Sequence, residues 1–361
     1  MPFDRLVPYN DLPPLPPNVE LETPKVLKEA IQASRALAEL KGASDLIPNQ
    51  KLLIQAIGLQ EAKSSSEIEN IVTTNDQLYL AFAQTNPNID SQTKEVLFYK
   101  DALWHGYKAL TKDRLLTTPL FVELVQIVNN TTEGIRTLPG TKLLNPHSKQ
   151  IVYTPPEGES VIRDKLSNLE KFIYTNTELD PLVKMALIHY QFEAIHPFPD
   201  GNGRVGRILN ILYLIHEKLL DLPILYLSQY IIAHKEAYYR GLREVTTENQ
   251  WENWILFMLT GITETATKAR QCILKIQTLM IKTTDLIKKE LPKIYSKELV
   301  EVIFQQPYCK IKFLEDADIA RRQTASVYLK ELERIGILKG VKIGNEKYYI
   351  HSALYKILIS S

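Results

Sequence analysis

Cysteine is scarce: Cys272 and Cys309 are the only two in 361 residues. No C-x-x-C and no neighbouring histidine accompanies them, which excludes a disulfide scaffold and leaves two buried free thiols in a reducing, cytoplasmic setting as the expectation. Charge of one sign is missing as well. The 43 Lys+Arg against 42 Asp+Glu leave a net charge of +1, which excludes a chain that grips nucleic acid mainly through a basic field, and equally an acidic tail. Long apolar runs are absent: a window such as Ile208–Ile215 falls far short of the ~20 residues a membrane span requires. The opening Met1-Pro2-Phe3-Asp4-Arg5 has no basic region followed by an apolar run, so no signal peptide is expected. There is neither a lipidation motif nor an internal repeat. What remains is 45 % apolar and 24 % charged residues, enough for packed cores, in a chain whose length suits roughly two to three domains.

Seven prolines fall within the first 24 residues. They fix φ and remove donors, so this stretch is expected to be extended and laid over a surface. Helical spacing starts near Val26, with Leu27, Ala30, Ile31, Leu37 and Ala38 as the expected buried face and Gly42 as the stop. A second helix, approached by Pro48, runs from Lys51. Further helices are read at 91–107, 118–129, 159–174, 181–195, 204–218, 231–246 and 251–290. Residues 138–156 break the pattern: β-favouring runs at 141–144 and 150–153 flank the turn-forming Asn145-Pro146-His147-Ser148-Lys149, a β-hairpin within a helical domain. The last seventy residues read as three short helices (296–304, 313–319, 323–335), then a hairpin turning at Gly344-Asn345, the order of a winged helix.

The chemistry concentrates in His196-Pro197-Phe198-Pro199-Asp200-Gly201-Asn202-Gly203-Arg204-Val205-Gly206-Arg207. The loop follows one helix and opens another. Its two glycines let the backbone approach a ligand, and the start of the next helix presents unpaired N–H groups suited to phosphate oxygens. Asp200 offers a carboxylate of the kind Mg²⁺ takes alongside phosphates. Arg204 and Arg207 lie on one side of the first turn with forks that match phosphate, and His196 can act as a general base near neutral pH. A base, a metal ligand, an anion cradle and two arginines together fit phosphoryl or nucleotidyl transfer.

This stretch resembles the H-x-F-x-[D/E]-G-N-G-R-x-x-R signature of Fic domains, without departure at any defining position. The resemblance implies a mainly α fold: a Fic-type helical bundle with a β-hairpin flap, flanked by an N-terminal inhibitory helix and a C-terminal winged helix, as in bacterial members. The implied domains are an N-terminal helical region over 1–114, a Fic catalytic core over 115–265, a linking helix over 266–289 and a winged-helix domain over 290–361. It implies transfer of AMP from ATP, with Mg²⁺, to a Tyr, Thr or Ser hydroxyl of a target protein, releasing pyrophosphate. His196 would deprotonate the hydroxyl, Phe198 would anchor the loop and Asp200 would hold Mg²⁺. Gly201, Asn202 and Gly203 would form the anion hole, Arg204 would sit beside the β-phosphate, and Arg207 would grip the γ-phosphate. Tyr239, of the pair Tyr238-Tyr239, would contact adenine; Trp251 and Trp254 are read as core.

Upstream, Ser65-x-x-x-Glu69-Asn70 resembles the inhibitory motif of the same family. On a helix Ser65 and Glu69 share a face. Paired with Arg207, Glu69 would take the partner the γ-phosphate needs, leaving ATP in a pose unfit for in-line transfer. The expected partners are ATP and a target docking by main-chain hydrogen bonds on the 138–156 flap. No membrane partner is expected, and self-modification and a homodimer stay open. His147, His216 and His234 lack ligand spacing and are read as ordinary surface or packing residues. Residues 290–361 hold twelve basic and nine acidic residues, and Arg321-Arg322-Gln323-Thr324 would open a recognition helix, so contact with DNA and contact with protein stand as equal alternatives. Two alternatives stand beside AMP transfer. One is a DNA-binding regulator with the Fic domain as nucleotide sensor; the other is a Fic enzyme with another donor or with de-AMPylating activity.

Overall fold

The computed structural model describes residues 3–47, 50–83, 89–145, 148–175, 178–343 and 346–360, with the side chains of 51–53, 55 and 56 left out. The expectations placed on Pro48, on the Pro146-His147 turn and on the Gly344-Asn345 turn lie outside the described residues. Five helices open the chain: α1 (Pro24–Ser44), α2 (Gln50–Ile68), α3 (Asn75–Ala83), α4 (Ser91–Leu110) and α5 (Thr118–Asn129). A small antiparallel hairpin follows, β1 (Leu143–Leu144) paired with β2 (Ile151–Tyr153) in the register Leu143 to Tyr153. Then come α6 (Glu159–Tyr174), α7 (Pro181–Ile195), α8 (Asn202–His216), α9 (Leu227–Ala233), α10 (Lys235–Glu248) and the 40-residue α11 (Trp251–Glu290). The last part holds α12 (Lys297–Phe304), β3 (Tyr308–Cys309), α13 (Ile311–Asp316), α14 (Arg322–Arg334), β4 (Lys339–Ile343), β5 (Glu346–Ile350) and α15 (Ser352–Ile359). The fold is mainly helical, with small antiparallel sheets.

Helix α7 is the central rod. Pro181 occupies its first turn and the Asp180 side chain accepts from the Leu182 N–H at 2.8 Å, so its start is capped. From Leu182 to Phe192 every residue is buried, and the polar Lys184, His189 and Gln191 among them each find a hydrogen-bond partner. It packs against α1, α6, α8 and α11, while α4 and α5 close the other side of α8. At Gly106 of α4 the helices touch so closely that a Cβ would lie 2.5 Å from Leu212 Cδ1 of α8.

Several expectations are corrected by packing. On α1, Leu27, Ile31 and Ala38 are exposed, and the buried stripe is Val26, Ala30, Ala33, Leu37 and Leu40, because the helix lies along α11 through its small residues. The single helix expected over 231–246 is two, α9 and α10, parted at His234 with ψ at +35°. Helix α8 starts at Asn202 rather than Arg204, since Gly201 at φ +82° already turns the chain. Three elements had no counterpart in the sequence reading: α3, β3 and α15. Each buries a few residues against a neighbour far away in the chain, a signal that local periodicity does not carry.

Among the described residues the proline-rich start ahead of α1 forms no helix or strand. Turns such as the Val7 N–H to the Asp4 carbonyl and the Leu12 N–H to the Tyr9 carbonyl interrupt the expected extended run, and scattered polar contacts hold it. The Tyr9 N–H donates to the Thr154 carbonyl at 3.0 Å, the Lys165 ammonium to the Leu12 carbonyl at 2.9 Å, and the Gln191 amide to the Pro13 carbonyl at 2.9 Å. In the C-terminal part, β5 lies between β3 and β4, and α14 buries Ala325, Leu329 and Leu332. The Tyr308 hydroxyl donates to Asp76 of α3 at 2.8 Å and its ring stacks on Tyr79, joining this part to the N-terminal helices. Both cysteines are buried and neither is in a disulfide. Among the described residues no helix is long and apolar enough to cross a membrane.

The α4–α8 contact yields a test. Gly106→Ala forces Leu212 out of its rotamer and is expected to cost about 1–3 kcal/mol of stability, as overpacked cores do. An unchanged or raised midpoint in a urea melt contradicts this contact.

Candidate functional site

The loop between α7 and α8 is shaped by its own side chains. His196 ends α7 in the left-handed region at φ +48°, and Gly201 reverses the chain again. Between them Phe198 is fully buried, its ring 6.2 Å from that of Phe192, and anchors the loop in the core. The Asn202 side chain closes the turn from both ends: Oδ1 accepts from the Phe198 N–H and Nδ2 donates to the Phe198 carbonyl, each at 2.8 Å. Its amide is therefore spent on the backbone, and what Asn202 offers an anion is its own N–H in the first turn of α8. Asn129 braces the other side. It donates to the Asp200 carbonyl at 3.0 Å and accepts from Arg204 Nη2 at 2.9 Å. Arg204 also lies 3.3 Å from Asp200 and 3.5 Å from Glu95. The Asp200 side chain is 78 % exposed, which leaves most of its carboxylate to solvent and free to take a hydrated cation.

One turn further, Arg207 is buried at 2 % exposure. Its partners come from the C-terminal end of α2. Nε donates to Ser65 Oγ at 2.8 Å, and Nη2 donates to the Ser65 carbonyl at 3.0 Å and to Glu69 Oε1 at 2.8 Å. The Ser65 carbonyl belongs to the last turn of α2, where carbonyls lack helical partners and carry the negative end of the dipole. Glu69 also sits against the first turn of α8: a Cβ on Gly203 would fall 2.4 Å from Glu69 Oε1. Burial raises the Glu69 carboxyl, but Arg207, Arg204 and Lys235 outweigh it and hold it below the usual range. Asn70 follows at φ +63°, and Lys235 of α10 donates to the Ile68 carbonyl and to Asn70, clamping the end of α2.

The same helix is tied down behind this contact. Glu61, one and two turns before Ser65 and Glu69 on the same face, is fully enclosed. It accepts from Tyr99 of α4 at 3.0 Å and from the Ser228 N–H and hydroxyl of α9 at 3.1 and 2.5 Å.

His196 is pushed down to about 4 by burial and by the Arg136 guanidinium, against the pull of the Glu193 carbonyl, Glu69 and Asp200. At neutral pH its ring is uncharged, the form that accepts a proton. Glu193, one turn earlier, is raised to about 7 by burial although Arg207 opposes this. His189 is a core histidine. It contacts the Tyr238 hydroxyl at 2.8 Å, stacks on Trp254 and is lowered to about 3 by burial. Tyr238 is thereby committed to the core. Tyr239 is 45 % exposed and close enough to Glu69 and Arg207 for both to act on its phenol. Trp251 and Trp254 are buried, as read from the sequence.

The structure thus gathers Ser65, Glu69, His196, Asp200, Gly201, Asn202, Gly203, Arg204, Arg207 and Tyr239 around one locus, with Asn70 at its edge. It adds Glu61, Glu95, Asn129, Arg136, Glu193 and Lys235. Glu61 lies on the same helix as Ser65, and Glu193 on the helix that His196 ends, whereas Glu95, Asn129, Arg136 and Lys235 are lone polar residues brought in from distant segments. The β1–β2 hairpin is fastened beside the locus, the Tyr153 hydroxyl donating to the Ala194 carbonyl at 2.8 Å.

Comparison with known proteins accords with this geometry. Models of the Fic/DOC family N-terminal region and of the Fic/DOC family match residues 27–108 and 117–214, and a model of the C-terminal domain of SoFic-like protein adenylyltransferases matches 279–354. The chain belongs to the Fic/DOC family. It is 36 % identical over 85 residues to the probable protein adenylyltransferase aq_aa38 of Aquifex aeolicus, covering 24 % of this chain and 26 % of that one. It is 28 % identical over 161 residues to the protein adenylyltransferase and cysteine protease IbpA of Histophilus somni, covering 43 % of this chain and 4 % of that one. The matches therefore span about a quarter or less of these curated relatives. In fold, a Fic family protein from Desulfovibrio desulfuricans G20 superposes with a TM-score of 0.57 at 18 % identity, covering 92 % of this chain and 97 % of the other. Fic-1 from C. elegans gives 0.53 at 18 %, covering 70 % and 73 %.

The double hydrogen bond of Asn202 is open to test. Asn202→Ala strands the buried Phe198 N–H and is expected to cost about 1–3 kcal/mol, read as a lowered midpoint in chemical denaturation. An unchanged midpoint removes Asn202 from this role.

Proposed function

We propose that this chain is a protein adenylyltransferase held off by its own α2. Neutral His196 takes the proton of a Tyr, Thr or Ser hydroxyl on the target, the oxygen bonds to the α-phosphorus of ATP, and the bond to pyrophosphate breaks. Arg204, Arg207 and the first N–H groups of α8 receive the phosphate oxygens. Asp200 would hold Mg²⁺, which supplies positive charge to the phosphates when bound; its exposed carboxylate fits that duty. Tyr239 would face the adenine, and the β1–β2 hairpin within 138–156 would align the target main chain. Residues 1–114 would form the inhibitory region, 115–265 the catalytic core, 266–289 the linking helix and 290–361 a winged helix.

The observation that carries this reading is the 2.8 Å Glu69–Arg207 pair laid over the start of α8. A carboxylate on a buried arginine at a helix N-terminus occupies the place that suits a terminal phosphate. The side chain of Glu69 keeps 36 % of its surface exposed, so it can swing to water while Arg207 stays. Glu69→Gly is expected to raise labelling by ATP carrying its label in the α-phosphate about tenfold or more, a barrier ~1.4 kcal/mol lower. Equal labelling of variant and parent at saturating Mg-ATP rules out inhibition through Glu69. In the Glu69→Gly background His196→Ala is expected to cut the rate by about 10²–10⁴, the usual worth of a general base. Label retained from the γ-phosphate instead identifies phosphate transfer, and loss of AMP from a pre-labelled target identifies the reverse activity.

A second reading concerns 290–361. Arg321, Arg322, Gln323 and Thr324 are all exposed at the start of α14, which suits phosphate contact and entry into a major groove. DNA binding through them is expected to weaken steeply between 50 and 200 mM salt (values typical of such assays) and to vanish on Arg321→Ala with Arg322→Ala. A gel shift that persists in the double variant removes Arg321 and Arg322 from DNA contact, and no shift with the parent protein leaves this part to protein contact.

A further inference from the structure

Arg136 lies in the irregular stretch between α5 and β1, outside every motif, yet it is 4 % exposed. Its guanidinium is spread over carbonyls from two separate parts of the chain. Nε donates to the His196 carbonyl at 2.7 Å, and Nη2 donates to the Ile195 carbonyl at 3.3 Å and to the Pro156 carbonyl. Its own N–H donates to the Pro197 carbonyl at 2.9 Å. Three consecutive carbonyls, 195 to 197, are thus held by one residue at the point where α7 ends and His196 enters the left-handed region. The fourth contact, Pro156, is three residues beyond β2.

We infer that Arg136 is the positioning residue for His196, fixing the backbone that aims the imidazole and joining it to the exit of the β1–β2 hairpin. The inference rests on the reading of His196 as the base and goes beyond it by naming what holds the base. Two physical effects follow. The planar fork of arginine satisfies carbonyls left unpaired at a helix C-terminus, which a single ammonium cannot do in the same geometry. The positive charge beside the imidazole also disfavours the imidazolium. The other charged groups acting on His196 are Glu69 from α2 and Asp200 from the loop; both act in the opposite direction, as does the backbone carbonyl of Glu193 on its own helix. Near Arg136 itself are Glu157 and Tyr153. Burial is the larger cause of the low value and stays in place, so removing the guanidinium moves His196 upward while leaving it below its ordinary range. The acidic limb of a base-dependent rate then moves to higher pH.

The test uses full-length protein carrying Glu69→Gly, with Arg136→Gln and Arg136→Lys added separately. Initial labelling rates are followed from about pH 3.5 to 8, an interval that spans the value of about 4 here and the ordinary histidine value of about 6.5, and the His196 ring is titrated by ¹⁵N NMR in the same proteins. Arg136→Gln is expected to lower kcat about tenfold or more with the KM for ATP nearly unchanged, and to move both the acidic limb and the NMR titration upward by about one pH unit or more. Arg136→Lys keeps a charge but not the fork; it is expected to lower kcat while the titration stays low. Unchanged kcat in both variants, or kcat and ATP affinity falling together with an unmoved titration, overturns the inference. If Arg136→Gln fails to fold, Arg136→Lys decides: parental kcat there overturns the role, and lowered kcat at parental KM and pH limb sustains it. Loss of labelling in Glu69→Gly itself would count against the proposed reaction, while the NMR titration still reports on Arg136.

Discussion

A guanidinium that water does not reach must be given anions by the fold, and Arg207 is such a group. Around it the molecule brings together two helix ends of opposite polarity, the C-terminus of α2 and the N-terminus of α8. Ser65 supplies a hydroxyl and a carbonyl, Glu69 supplies a carboxylate, and Lys235 holds the chain just beyond. The arrangement is self-consistent because the acceptor end of one helix meets the donor end of the other. It is also replaceable, because any anion of suitable shape could stand where Glu69 stands. An internal carboxylate and a terminal phosphate would then compete for the same cation, and the outcome would depend on how firmly α2 is kept in place.

That firmness is distributed. Glu61 ties the middle of α2 to Tyr99 of α4 and Ser228 of α9, and Gln60 donates to the Tyr79 hydroxyl at 2.7 Å. Tyr79 in turn stacks on Tyr308 and meets Tyr355 edge-to-face, both from the C-terminal part. The helix that bears Glu69 is thus packed between the loop that would handle phosphates and a module that lies more than two hundred residues further along. The loop rests on a rigid base of its own. Helix α7 is enclosed on all sides, Phe198 is fixed in the core, and Asn202 and Asn129 fasten the turn, so the groups facing a ligand are placed before it arrives.

The mainly α fold, the hairpin between 138 and 156, and the helices at 118–129, 159–174, 181–195 and 251–290 were legible because each follows from local periodicity and punctuation. Helix α11 is an instance: its apolar spacing runs unbroken from Trp251, and it ends beside Leu291 and Pro292. The face of α1 was not legible. Leu27 and Ile31 have the apolar character of a core stripe, yet the buried face runs through Val26, Ala30, Ala33, Ala36, Leu37 and Leu40 as the helix lies along α11. Likewise α9 and α10 read as one helix until packing parted them at His234.

The residue types along 196–207, with their spacing, already determine what kind of ligand the loop can take, since a histidine, a carboxylate, two glycines and two arginines are informative as a set. Their arrangement with Ser65 and Glu69 was implied by resemblance alone. Tertiary structure decided the rest. It turned the Asn202 amide inward onto the backbone, separated Tyr238 in the core from Tyr239 at the surface, and drew Asn129, Arg136 and Lys235 to helix ends far from them in sequence. For the residues drawn to helix ends the physical reason is common. A helix terminus leaves carbonyls and N–H groups without partners, and the side chain that meets that demand is chosen by proximity in space, which sequence spacing does not encode.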